Sequence, residues 1–223
     1  MNDLKKVSTA EVERTKIRRA QITKAATELF GEKGFHAATV RDIGKRANVS
    51  NGLIYQYAQD KEDLLFFAIM DVHRSHEQAI KNVIATAKAS GPLEIFCAVF
   101  RSYCDVIDAN MEASVLAYRE TKSLKRANRH SVMQKEVELS ELIGKCIEEC
   151  VRANVFQADI DVELLIYQIM TFAHMWALKG WRFRSMMSID EYIERGLDLI
   201  LRGVLSTRGK ALFRTKTKRK LAS

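Results

Sequence analysis

The stretch TVRDIGKRANVSNGLIYQY, residues 39–57, decides how the rest of the chain is read. It spells two short helices joined by a tight turn. Thr39 offers a hydroxyl at a helix start, with Asp42 three residues on, the arrangement that satisfies free backbone N–H groups. Val40, Ile43 and Ala47 then recur at helical spacing and give one apolar stripe. Gly44 sits inside this helix, where it costs about 1 kcal/mol against alanine. A residue without a side chain makes sense there if a second helix crosses close by. Asn48 follows, a residue type that tolerates the left-handed turn conformation. Val49 plugs the corner, and Ser50 caps a second helix carrying Leu53, Ile54 and Tyr57. This is the layout of a helix-turn-helix, whose second helix enters the DNA major groove with its first residues at the base edges. An ordinary helical hairpin shares the spacing, so the order of residues has to separate the two.

That order is informative. Extended to residue 65, TVRDIGKRANVSNGLIYQYAQDKEDLL resembles the DNA-binding segment of the tetracycline-repressor (TetR/AcrR) family of bacterial regulators. The family pattern, roughly T-x-R-D-I-A-x-x-A-G-V-S-x-G-x-x-Y-x-Y-F-x-x-K-E-x-L, is matched by Thr39, Arg41, Asp42, Ile43, Ala47, Val49, Ser50, Gly52, Tyr55, Tyr57, Lys61, Glu62 and Leu64. Upstream, ITKAATELFGEKGFHAAT (residues 22–39) is similar to the family's first helix and its glycine stop. The specific resemblance covers about residues 16–65. Gly44 replaces the usual alanine and Asn48 the usual glycine, and both keep the steric requirement. Ala58 stands where an aromatic residue is usual, which removes a packing contact beneath the second helix.

The resemblance implies roles for individual residues. The second helix of the motif would read bases through Asn51, Gly52 and Leu53 at its start and Tyr55 and Gln56 one turn on. Asn and Gln can form paired bonds to the major-groove edge of adenine, and Leu53 suits a thymine methyl. Thr39, Tyr55, Tyr57 and Lys61 match phosphate-holding positions, with Arg41, Lys45 and Ser50 as further phosphate candidates. Lys61 also opens a helix, whose free N–H groups favour an anion. Tyr57 reads equally well as a core aromatic.

Charge agrees with a nucleic-acid partner. Residues 1–61 carry 12 Lys+Arg against 7 Asp+Glu, residues 62–207 carry 17 against 21, and residues 208–223 carry 7 against none. Cations near the front neutralise phosphates and release condensed counterions. Residues 1–15 read as a loose basic arm, 16–62 as the helix-turn-helix domain and 63–207 as a helical effector-binding and dimerisation domain. The tail 208–223 reads as disordered, because a run of like charges repels itself.

The first helix is expected from about Thr15, with Ile17, Ile22, Ala25, Ala26, Leu29 and Phe30 on its buried face. Beyond residue 60 the pattern predicts further helices: one from Lys61 into the eighties, then 93–110, 112–128, 130–153, 161–183 and 189–206. Gly91 and Pro92 break the chain, and Asn154 ends a helix. No alternating strand pattern or repeat occurs, so the fold class is all-α, a three-helix head joined to a larger bundle.

A single head reads few base pairs, and the family works as homodimers on pseudo-palindromes. The last two helices carry more apolar surface than one small core needs. Leu164, Leu165, Gln168, Tyr192, Leu199, Leu201, Val204 and Leu205 are therefore the expected dimer surface. An effector pocket is expected in the middle of the chain. Its candidate lining is Phe96, Phe100, Tyr103, Tyr118, Met133, Phe172, Met175 and Trp176, with Arg119, Lys122 and His174 as polar anchors. The segments LAYRETKSL (116–124), HMWALKGWRF (174–183) and IDEYIERGLDLILRGV (189–204) resemble family members that answer acyl-coenzyme A esters. In such a protein an apolar tunnel takes the acyl chain, and Arg119 or Lys122 takes coenzyme phosphates.

Other chemistries find less support. His73, His76 and Glu77 fall at i, i+3, i+4, a spacing compatible with a metal, yet the sequence points to no further ligand, and no metal or other cofactor is expected. Cys97, Cys104, Cys146 and Cys150 form no short paired knuckle and read as buried thiols of a reducing compartment. No apolar run approaches a bilayer span and the front lacks a secretion signal, so the expected location is the cytoplasm. No nucleophile elbow, phosphate loop or ligand set argues for an enzyme. Two rivals stay open at this stage: a sequence-blind architectural DNA-binding protein, and a helical lipid or acyl-coenzyme A carrier with no DNA role.

Overall fold

The computed structural model of the protein describes residues 9–87 and 90–213. The described chain is helical throughout: α1 (Thr9–Lys33), α2 (Val40–Ala47), α3 (Asn51–Ile54), α4 (Lys61–Thr86), α5 (Pro92–Ala109), α6 (Met111–Glu120), a single 3₁₀ turn (Thr121–Ser123), α7 (Arg126–Arg152), α8 (Val162–Leu178), α9 (Gly180–Phe183) and α10 (Ile189–Val204). Among the described residues there is no strand, only an isolated antiparallel bridge between Phe156 and Leu205. The all-α expectation holds.

Several boundaries differ from those the sequence suggested. The arm was expected to stay loose to residue 15, but α1 starts at Thr9. No glycine or proline interrupts residues 9–30, and Glu11 sits in the first turn where a negative charge suits the helix dipole. Ile17, expected on the buried face, is 61% exposed. At the other end, residues 207–213 are helical rather than disordered. The expected arm over 1–8 and tail over 214–223 lie outside the described residues. The predicted helix over 112–128 breaks at the 3₁₀ turn, where Leu124 is extended. The predicted 161–183 helix divides at Lys179.

The chain forms two compact units, and neither matches a simple cut at residue 62. The first comprises residues up to Asp71 together with Val115–Val132; the second comprises Val72–Ser114 and everything from Met133. In the first unit α1 lays Ile22, Ala26, Leu29 and Phe30 against Ile43 and Ala47 of α2, Ile54 of α3, and Leu64, Leu65 and Ile69 of α4. Leu116, Leu124 and Val132, from far along the sequence, complete this core. A polar tie holds them there. The buried carboxylate of Glu62 accepts the Lys125 backbone N–H at 2.7 Å and the Asn128 side-chain amide at 3.1 Å, and pairs with the Lys125 ammonium at 3.0 Å. Asp60 accepts the N–H groups of Glu62 and Asp63 at the start of α4 and pairs with Lys125 at 2.7 Å. That ammonium holds the Asp60 carboxyl below the usual carboxylate range.

In the second unit α5 packs against α8 and α10. Phe96, Phe100, Tyr103 and Ile107 of α5, Ile166, Ile169, Ala173 and Trp176 of α8, and Tyr192, Ile193 and Leu201 of α10 are buried. The positive φ of 55° at Asn154 follows α7, as that residue's position suggested. Tyr192 stacks on Phe172 at 4.4 Å and donates its hydroxyl proton to the Phe172 carbonyl at 2.7 Å. This contact needs Gly196. A Cβ built there lies 1.9 Å from the Phe172 ring, so α10 approaches α8 closely only because the side chain is missing. Gly196→Ala is therefore expected to cost about 1–3 kcal/mol of stability by overpacking. Chemical denaturation with an unchanged slope and a lower midpoint would register it.

Candidate functional site

The turn after α2 is built as its residues demand. Thr39 caps α2 by accepting the Asp42 N–H at 3.1 Å, and its own hydroxyl proton goes to the Asp42 carboxylate at 2.9 Å. That bond is the first reason the Asp42 carboxyl lies below its usual range. Asn48 closes the helix at φ 51°, ψ 49°. The Val49 N–H then returns to the Gly44 carbonyl at 2.9 Å. Ser50 caps α3 by accepting the Leu53 N–H at 3.2 Å. Gly44 faces the crossing: an added Cβ would lie 2.7 Å from Asn51 Oδ1, 3.1 Å from the Val49 carbonyl oxygen and 3.5 Å from Ile54 Cδ1. From behind, the Gln21 amide of α1 donates to the Ala47 carbonyl at 2.7 Å and fixes the end of α2.

On this scaffold the expected base-reading residues separate. Asn51, Gly52, Tyr55 and Gln56 are exposed along one short helix and the turn after it, with Tyr55 57% exposed. Leu53 is half-buried, and Ile54 is fully buried against the head. The regular helix is shorter than expected. After Ile54 the chain tightens, with Gln56 N–H on the Leu53 carbonyl and Tyr57 N–H on the Ile54 carbonyl.

The phosphate candidates fare differently. Arg41 and Lys45 are exposed, and no ion pair engages either among the described residues. Ser50 is exposed and Tyr57 is half-buried on the head core. The Thr39 hydroxyl is engaged at both its donor and acceptor sides by Asp42. Lys61 needs correcting. Its ammonium donates to the carbonyls of Phe35 at 2.9 Å, His36 at 2.7 Å and Ala38 at 3.1 Å, and lies 4.9 Å from the Phe35 ring centre. Its three donors hold the loop between α1 and α2, so its job here is structural. The sequence offered no sign of this, because the three carbonyls lie more than twenty residues upstream. Of the basic residues on α1, Arg19 stacks over Phe67 at 4.2 Å and Arg18 donates to Gln21 at 2.8 Å.

The residues expected to line an effector pocket do not share one environment. Tyr118, Arg119 and Lys122 are exposed and belong to the first unit. In the second unit Met133 and Met175 are exposed, at 59% and 37%. Phe96 meets Phe156 edge-on at 5.0 Å, Phe100 lies 5.5 Å from Phe172, and the Trp176 indole N–H donates to Asp108 at 2.7 Å. These three are core residues with partners in place.

Tyr103 and His174 are the exception, joined by a 3.2 Å contact between the phenol oxygen and Nε2. His76 stacks on Tyr103 at 4.1 Å, and His73 lies one turn earlier on α4. Burial pushes His76 down to about 3, with the neighbouring imidazoles of His174 and His73 adding to it. Burial likewise pushes His73 and His174 to about 4, aided by Lys135 and by His73 respectively. At neutral pH all three are uncharged. The sequence presented His73, His76 and Glu77 as a metal-like triplet, but Glu77 pairs with Lys81 and Lys135 instead. No group of three ligating side chains converges on a metal position among the described residues. Beside His73 a cavity of about 190 Å³ opens between α4 and α7, walled by Glu77, Lys81, Lys135, Glu138, Leu139 and Leu142. All four cysteines are free, and three are buried.

The expected dimer surface also divides. Leu165, Tyr192, Leu201 and Leu205 are buried within their own unit and cannot meet a partner. Leu164 (56% exposed) and Leu199 (70%) remain outside with Gln168, and Val204 is half-buried. Apolar alternation in a hydrophobic helix does not say which side faces inward; here Tyr167 and Met175 join the outer stripe of α8.

Lys61→Met should lower stability by about 2 kcal/mol, because three charge-assisted bonds are lost; a thermal scan separates this from a pure phosphate role, which would leave the midpoint unchanged. The histidine cluster gives a pH signature. Imidazoles whose folded pKa is depressed add stability above about pH 6.5, and that stability is lost as pH falls toward 4. His76→Phe should reduce the loss of melting temperature between pH 7 and pH 5 relative to the unsubstituted chain.

The geometry agrees with comparisons to known proteins. Residues 22–67 match the family described as "Bacterial regulatory proteins, tetR family", and residues 89–204 match "Tetracyclin repressor-like, C-terminal domain". The HTH-type transcriptional regulator HbdR of Aromatoleum sp. (strain CIB) is 42% identical over 193 residues, 86% of this chain and 83% of that protein. The HTH-type transcriptional repressor KstR2 of Rhodococcus jostii (strain RHA1) is 28% identical over 191 residues, 85% and 92% of the two chains. A structure described as a Clostridium perfringens putative fatty acid metabolism regulator superposes with a TM-score of 0.71 at 19% identity, over 84% of this chain and all of that one. A capped, glycine-crossed helix-turn-helix over residues 39–57, inside a chain matched along both parts, therefore belongs to the TetR family of bacterial helix-turn-helix transcriptional regulators.

Proposed function

We propose that this regulator is a homodimeric repressor of a pseudo-palindromic operator, released by a small, largely apolar effector. One observation carries the DNA part: Asn51, Gly52, Tyr55 and Gln56 stand exposed on a helix whose other face is locked into the head by Ile54. Asn51 and Gln56 supply donor–acceptor pairs for base edges, while the exposed Arg41 and Lys45 supply cations for the flanking phosphates. Base-reading side chains in these places argue against sequence-blind binding, and a formed reading head argues against a lipid carrier without a DNA role.

Dimerisation is supported by the exposed stripe of Leu164, Tyr167 and Met175 on α8 with Leu199 on α10. Such an apolar surface on a regulator suits a self-complementary partner. Among the described residues no helix is long and apolar enough to cross a membrane; the protein would act in the cytoplasm, where its operator is. No catalytic role is proposed.

For the effector, the resemblance to acyl-coenzyme A-responsive members and the fatty acid regulator among the structural relatives favour an acyl thioester. Its occupancy of the second unit would shift the population of heads away from the DNA-binding arrangement.

Selection from a random pool of duplexes should recover an inverted repeat. On that operator Asn51→Ala or Gln56→Ala should each cost about 1–3 kcal/mol and relax preference at one position of each half-site. Arg41→Ala or Lys45→Ala should weaken all sequences alike and lower the slope of log K against log salt by about 1 per protomer. Recovery of no motif would overturn the proposal, and failure of every acyl-coenzyme A to release the operator would remove that effector class.

A further inference from the structure

The second unit holds a polar cluster that its own fold leaves incomplete. His76 is 2% exposed, and neither of its ring nitrogens finds a hydrogen-bond partner among the described residues. Nδ1 of His73, one turn away, is likewise buried and unpartnered. Buried polar groups are nearly always bonded, and each one left unmade costs about 1–3 kcal/mol. A core position that asked only for packing would be filled more stably by phenylalanine, since the His76 ring already stacks on Tyr103 at 4.1 Å. Facing the same ring system from α8, His174 meets the Tyr103 hydroxyl at 3.2 Å.

The chemistry asked for is neutral. An uncharged imidazole offers one donor and one acceptor, and Tyr103 and His174 add groups of the same kind. The cavity of about 190 Å³ that His73 borders, one turn from His76, contributes no unbalanced charge either. There Glu77 is paired with Lys81 and Lys135, and Glu138 with Lys135. A ligand charge entering this region would lose its hydration without meeting a free counter-charge.

We propose that His76, with the Tyr103–His174 pair beside it, is the polar anchor of the effector site and takes a neutral carbonyl, amide or hydroxyl group, discriminating against an ionised carboxylate. The assignment rests on the effector-responsive reading above and narrows it. An apolar ligand would enter alongside His73, Leu139 and Leu142 and present its one polar group to His76. A thioester or ester would then be accepted where the corresponding free acid is refused.

Two matched probe series test this on the full-length protein at pH 7.5: decane, 1-decanol, decanamide and decanoate, and toluene, benzyl alcohol, benzamide and benzoate. In at least one series the alcohol or amide should bind at least tenfold more tightly than both the carboxylate and the hydrocarbon. His76→Phe should abolish that margin while leaving the hydrocarbon within twofold, and His76→Gln, which keeps a donor and an acceptor, should restore most of it. In the unsubstituted chain the 15N resonances of His76 should move on adding the amide and not on adding the hydrocarbon, a readout that stands even if a variant fails to fold. Equal or tighter binding of the carboxylate, an undiminished margin in His76→Phe, unmoved His76 resonances, or no binding by any probe would each overturn the anchor. Probe binding through His76 that leaves an operator complex intact would support the site and overturn ligand release, whereas operator binding without probe affinity would do the reverse.

Discussion

The head depends on how closely α3 can cross α2. The two helices are joined by only three residues, and the return is fixed by Asn48 in the left-handed conformation with the Val49 N–H on the Gly44 carbonyl. At the crossing a single methyl group on Gly44 would press on Asn51 and on the Val49 carbonyl. Glycine weakens a helix by about 1 kcal/mol, and α2 tolerates it because Ile43 and Ala47 are buried in the core shared with α1 and α4. The reading helix therefore draws little on its own propensity. Four regular residues would not hold as an isolated helix, and α3 persists because Ser50 caps it and Ile54 is anchored in the core.

The second unit shows the complementary case, in which tight packing surrounds an unmet polar demand. Gly196 lets Tyr192 and Phe172 stack, Trp176 reaches Asp108, and the aromatic residues of α5 and α8 close around one another. Burial holds the imidazoles of His73, His76 and His174 uncharged, with Lys135 acting on His73 and neighbouring imidazoles acting on His76 and His174. Local departures from well-satisfied packing concentrate at functional sites. A core that bears such a defect has exchanged some stability for recognition.

Much of the head was legible in the sequence because its rules are local. The Thr39 cap, the Asn48 turn, the Ser50 cap and the small residue at 44 are all decided within a few residues, and each appears where the spacing put it. Lys61 was misread for the opposite reason: its partners at Phe35, His36 and Ala38 are set by tertiary packing. In α8 most positions are hydrophobic, and in α10 Leu199, Ile200 and Leu201 run consecutively, so periodicity could not separate Leu164 from Leu165 or Leu199 from Leu201, whose exposures are opposite. The pairing of His76 with Tyr103 and His174 joins residues up to about a hundred positions apart on three helices, beyond the reach of any spacing rule.

The tie between Glu62 and the Lys125–Asn128 segment bears on how such proteins can be recombined. Leu116, Leu124 and Val132 belong to the same apolar cluster as Ile43 and Ile54, so the DNA-reading module is discontinuous in sequence. A chimera that grafts residues 1–71 onto a foreign sensor would leave an unfilled hole beneath α4 and a buried carboxylate without its cation. Transfer of this head to another sensor would have to carry residues 115–132 along with the front of the chain.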